Sequence, residues 1–97
     1  MLGYEERKAV YNSAIERWGS YAQLWMAVEE MSELINAICK FRRERCDVND
    51  VAEEVADVSI MLEQLCLIFG FSEKVHEIMD EKIRRLERRL DFTEADT

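Results

Sequence analysis

Apolar positions recur every three or four residues along this chain, in four runs separated by short polar or glycine-containing breaks. The first run sets Val10, Ala14 and Trp18 beside Tyr11 and Ile15. The second carries Leu24, Val28, Met31, Ile35 and Ile38, and the third Val51, Val55, Val58, Leu62, Leu65 and Phe69. The fourth carries Val75, Met79, Ile83, Leu86 and Leu90. That spacing is the helical period, and each stripe marks one face of a helix. The breaks predict the ends. Gly19 precedes Ser20-Tyr-Ala-Gln23, the spacing of a capping box. Cys46–Asp50 is a polar break that offers Asp47 or Asn49 as an N-cap. Gly70 suits the residue after a helix C-terminus, with Ser72 as the cap of the fourth helix. Helices are expected over about 4–18, 21–44, 50–69 and 73–90, with 91–97 as a frayed tail. The fold class is an all-α four-helix bundle in a single domain, 1–97.

Two elements strain a monomeric bundle. The third helix also carries Ala56, Ile60 and Leu67 opposite its stripe, with Met61 and Ile68 between, so it must be covered nearly all round. The second, at 24 residues, would run about 36 Å, against a radius of gyration of about 12–13 Å for a compact chain of this length. Both point to a core completed in a homo-oligomer, a dimer or dimer of dimers. The alternative is an elongated monomer with exposed Leu and Ile.

Composition narrows the class. The 97 residues include three Gly and no Pro, which argues against turn-rich β architectures. Thirteen Lys and Arg against 21 Asp and Glu leave a net charge of −8, a poor match to nucleic acid or an anionic membrane. No run of 18 apolar residues exists, so no membrane span is expected. The charged start, MLGYEERK, is unlike a secretory leader. Cys39, Cys46 and Cys66 form no CxxC pair, and His76 is the single histidine. Free thiols in a reducing cytoplasm are therefore expected, and neither disulfides nor a zinc site.

The informative residues are acids. Glu30 and Glu33 are three apart, as are Glu54 and Asp57, so each pair shares a helix face. On the second helix this face reads Met26, Glu30, Glu33, Ala37, Lys40, almost opposite the Leu24–Ile38 stripe. On the third, Glu54 and Asp57 sit with Met61 and Ile68 at the edge of the core stripe. If these helices pack antiparallel, as a short connection favours, the pairs meet near mid-bundle. Carboxylates gathered there repel and take up protons unless a cation compensates. An all-oxygen donor set suits Mg²⁺ or Mn²⁺ rather than Zn²⁺ or Cu²⁺. The plain alternative is a solvated acidic face, since such pairs are abundant on helices. Glu29 and Glu53 are read as surface charge with room for supporting roles.

In this wider text the sequence resembles the small MazG-like all-α nucleoside triphosphate pyrophosphohydrolases. The resemblance rests on Glu30-Met-Ser-Glu33, twenty intervening residues, and Glu54-Val-Ala-Asp57. Around them stand Trp18-Gly19, Gln23, Lys40, the run Glu53 to Leu65, and Lys82-Ile-Arg-Arg-Leu-Glu-Arg. It spans about Trp18 to Leu90. It implies hydrolysis of a nucleoside triphosphate to monophosphate and pyrophosphate by a homo-oligomeric enzyme. It also implies Mg²⁺ held by Glu30, Glu33, Glu54 and Asp57, with those acids catalytic. The related phosphoribosyl-ATP pyrophosphohydrolases share this carboxylate logic, but the Trp18-Gly19…Gln23 lead-in and Glu63-Gln-Leu favour the first group. A non-catalytic helical adaptor is the third reading.

Around such a site, water attack at the α-phosphorus would expel pyrophosphate, with one glutamate taking the proton. Lys40 is the first candidate for phosphate contact, against a plain surface lysine. Lys82 and Arg85 are further candidates, although the basic run 82–89 also suits a helix C-terminus. Arg42, Arg43 and Arg45 have that same explanation. Trp18 and Gln23 are candidates for stacking on and hydrogen-bonding a base, against roles as core indole and capping-box residue.

Overall fold

The structure is a computed structural model that describes residues 1–96, with side chains described through residue 91. The chain forms α1 (Tyr4–Trp18), α2 (Ser20–Arg42), α3 (Val48–Phe69) and α4 (Ser72–Asp96), and no strand among the described residues. Helix α4 continues six residues past its expected end; Thr97, last of the expected tail, lies outside the described residues. No helix among the described residues is long and apolar enough to cross a membrane.

The ends are set by local chemistry. Gly19 is at once the C-cap of α1 and the N-cap of α2, at φ 90° and ψ 151°. Its N–H donates to Ile15 O at 2.8 Å and its carbonyl accepts from Gln23 N–H at 3.2 Å. Side chains rarely tolerate that backbone region, so glycine is required. The expected Ser20–Gln23 capping box does not form: Ser20 is already inside α2, and no side chain caps it. One residue closing two helices leaves no separate cap position. At the start of α3, Asp47, one of the two expected N-caps, forms a capping box that the sequence reading did not place there. The Asp50 N–H donates to its carboxylate at 3.0 Å, and the Asp47 N–H donates to Asp50 Oδ2 at 2.9 Å. Gly70 closes α3 in the left-handed region, φ 68°, with its N–H on Cys66 O. Ser72 is the first residue of α4 rather than its cap; Phe71 O accepts the Val75 N–H at 2.9 Å.

Helices α2 and α3 form an antiparallel hairpin that dominates the packing; α1 meets both, and among the described residues α4 meets α3 alone. Helix α1 is fastened by a polar tie. Arg7 donates to both Glu63 carboxylate oxygens, at 3.0 and 2.9 Å, and the Tyr11 hydroxyl donates to Glu63 Oε1 at 2.6 Å. These hydrogen bonds hold the Glu63 carboxyl below its ordinary range, while burial first and the Glu63 contact second push the Tyr11 hydroxyl up.

The faces differ from the expectation. The side of α2 turned toward α3 is the acidic one, with Gln23, Ala27 and Ala37 buried and Glu30, Met31 and Leu34 half-buried. Val28, Ile35 and Ile38, expected in the core, are 52–64% exposed. The reason is steric: alanines at 27 and 37 let α3 approach closely, which the bulkier stripe would hinder. On α3, Met61 and Gln64 are buried, whereas Val55, Leu62 and Phe69 are exposed. On α1, Val10 and Trp18 face outward and Tyr11 inward. Of the α4 stripe only Val75 is half-buried; Met79, Ile83, Leu86 and Leu90 are exposed.

Candidate metal and phosphate site

The Asp47 box starts α3 so that its second turn brings Glu54 to the middle of α2, where Ala37 keeps the helices close. One carboxylate oxygen each from Glu30, Glu33 and Glu54 then lies within 4.8 Å of the others. Asp57 stands outside that trio, but its charge acts on both Glu30 and Glu54. Glu30 and Glu54 are half-buried, Glu33 and Asp57 exposed. Burial pushes the Glu30 carboxyl up first, followed by the charges of Glu33 and Asp57. Glu54 is raised by burial, then by Glu33, Asp57 and Glu53. Each keeps one buried oxygen, Oε2, that no hydrogen-bond donor reaches among the described residues.

Buried carboxylate oxygens without donors are costly unless protonated or given a cation. Their convergence from two helices, with oxygen as the sole donor type, fits a hard divalent ion such as Mg²⁺ or Mn²⁺. Cys46, nearby, is a thiol engaged elsewhere. Its Sγ–H donates to Ala37 O at 3.5 Å, and burial and then Asp50 raise its pKa.

Next to the trio, toward the α2–α3 turn, lies an open cavity of about 340 Å³. Glu33 and Glu54 line it together with Lys40, Arg45, Asn36 and Cys46. Lys40 therefore stands beside the carboxylates, as its spacing on the stripe suggests. Lys82 and Arg85 do not join them within the chain: both line a groove formed along α4 alone, with Ile78, Glu81, Arg84 and Arg88. Trp18 is 61% exposed, so the core role considered for it is not taken. Gln23 is buried on the α2 face toward α3.

Three features escaped the reading of the sequence. Gln64 is buried, with its Oε1 unpartnered among the described residues and its Nε2 3.9 Å from Met61 Sδ. Its neighbour Glu63 holds α1. The available signal was Arg7 and Tyr11, four apart on one helix face, and a lone acid in the apolar second half of α3. Arg45 is the third: it lies beyond the end of α2, lines the cavity and is not simply a charge at a helix terminus. Compared with protein-family models, curated proteins and solved structures, the chain matches none.

Proposed function

We propose that this chain is a Mg²⁺-dependent nucleotide pyrophosphohydrolase, converting a nucleoside triphosphate and water to the monophosphate and pyrophosphate. The observation that carries the reading is the meeting of Glu30, Glu33 and Glu54 from two helices, with Asp57 beside them and two buried oxygens lacking donors. The similarity of the ExxE…ExxD text to the MazG-like enzymes supplies the reaction class. In this reading Glu30, Glu33, Glu54 and Asp57 hold the cation. Bound there, it neutralises phosphate charge and polarises water. One of these carboxylates accepts the proton of the attacking water. The new bond joins that water's oxygen to the α-phosphorus, and the bond to the bridging oxygen of the β-phosphate breaks. Lys40 contacts the phosphates from the neighbouring cavity.

The working unit in this reading is a homo-oligomer. The chain exposes 8114 Å², roughly 2,300 Å² more than a compact monomer of its mass would. That excess is of the order that stable dimers bury.

The test is incubation with a panel of nucleoside triphosphates and Mg²⁺, with phosphorus products identified by NMR. Monophosphate and pyrophosphate are expected; diphosphate and phosphate would reject the mechanism. Glu33→Gln should reduce turnover by at least about 100-fold with unchanged helical content, and retained activity would remove Glu33 from the site. A helical adaptor would show neither turnover nor thermal stabilisation by Mg²⁺.

A further inference from the structure

The cavity beside the carboxylates contains a pair of cations that the fold does not use. Lys40 and Arg45 both line it, and neither makes an ion pair with any described residue, although Glu33, Asp50, Glu53 and Glu54 line the same space. A lysine and an arginine among four acids would ordinarily be paired. Arg45 reaches this place by an unusual backbone route. The turn after α2 passes through Glu44 at φ 60°, a region costly for a side chain. The Arg45 N–H then folds back onto Lys40 O at 2.8 Å. That bond places the two basic residues next to each other at the mouth of the hairpin, one from the last turn of α2 and one from the loop. Asn36 lines the same cavity and offers a neutral amide donor.

We infer that Lys40 and Arg45 form a subsite for the pyrophosphate portion of the substrate, so that the polyphosphate lies toward the α2–α3 turn and the nucleoside away from it. This rests on the proposed hydrolase reading and adds the direction in which the substrate lies. A divalent cation is needed for an anion to enter. Lys40 and Arg45 contribute two positive charges against the four carboxylates of the lining, a net of −2 that repels a bare anion, whereas one Mg²⁺ held by the carboxylates brings the lining to neutrality and bridges to the phosphate oxygens. The guanidinium fork suits two oxygens of one phosphate, and the lysine acts as a point charge beside it.

The probe is inorganic pyrophosphate, titrated calorimetrically into the full-length protein with and without Mg²⁺. Binding is expected with Mg²⁺ and absent without it. Arg45→Ala should weaken it about 10-fold, near the value of one exposed charge-assisted contact. Arg45→Lys should recover part of the loss. Arg42→Ala removes equal charge from the same helix end but outside the cavity lining, and should leave affinity within about two-fold. In turnover, Arg45→Ala should raise KM more than it lowers kcat. Equal losses in Arg42→Ala and Arg45→Ala, or none in either, would overturn the subsite. A wild type that hydrolyses triphosphates while Arg45→Ala leaves pyrophosphate binding intact sinks the subsite and spares the hydrolase. Arg45-dependent pyrophosphate binding without any triphosphate turnover supports the subsite and sinks the hydrolase.

Discussion

At the scale of single residues, the decisive groups are Glu30 and Glu54, whose carboxyls are raised by burial and by their acidic neighbours. A carboxyl raised in the folded state keeps its proton longer there than in the unfolded chain. Its favourable contribution is therefore present below the ordinary glutamate range, near about pH 4.3, and is lost as pH rises through the raised folded value. Metal-free protein should accordingly lose thermal stability on going from mildly acidic to alkaline buffer, and Mg²⁺ should restore it. Glu54→Gln keeps the shape and removes the charge. It should raise the metal-free Tm at pH 8 by a few degrees, flatten the pH slope and shrink the Mg²⁺ gain. A metal-free Tm below wild type, or an undiminished Mg²⁺ response, would show that this carboxylate is neither penalised nor a ligand.

At the scale of elements, α1 depends on one polar fastening. Tyr11→Phe deletes the 2.6 Å hydrogen bond to Glu63 and leaves the Arg7 fork in place. The expected cost is about 1 kcal/mol, read as a drop of roughly 4–8 °C in thermal unfolding; an unchanged Tm would mean that the Tyr11 hydroxyl adds nothing to the Arg7 fork and the apolar contacts of α1. Element by element, the helices were legible because period, glycine and Asp47 all spoke locally. The meeting of Glu30 with Glu54 was legible because spacing on a rod fixes a face. Which face turned inward was not. The stripe of Val28, Ile35 and Ile38 reads as core by hydropathy, yet the small side chains of Ala27 and Ala37 decide how α2 meets α3. Arg45 was hidden for another reason: its position follows from a left-handed turn at Glu44, which residue type does not announce.

At the scale of the whole molecule, the chain is extended rather than compact. Its radius of gyration is 17.1 Å, against about 12.5 Å for a compact domain of this length. Its largest extent is 55 Å. Ile83 and Leu86 project from α4, which packs against α3 and no other helix among the described residues. Charging both, as Ile83→Glu with Leu86→Glu, leaves the α2–α3 hairpin untouched. Sedimentation should then fall from a multiple of the chain mass to that of one 11.5 kDa chain. Wild type sedimenting as one chain at every concentration would refute the oligomer.

The seam at Gly19 has a sharper consequence. Because one residue terminates α1 and opens α2, the joint holds no slack with which to absorb a change in register. A single inserted residue that extended α1 would rotate everything before it by about 100°, carrying Arg7 and Tyr11 away from Glu63. Length, at this one spot, is as much a part of the design as chemistry: the chain should accept many side-chain changes along α1 more readily than one extra amino acid at its hinge.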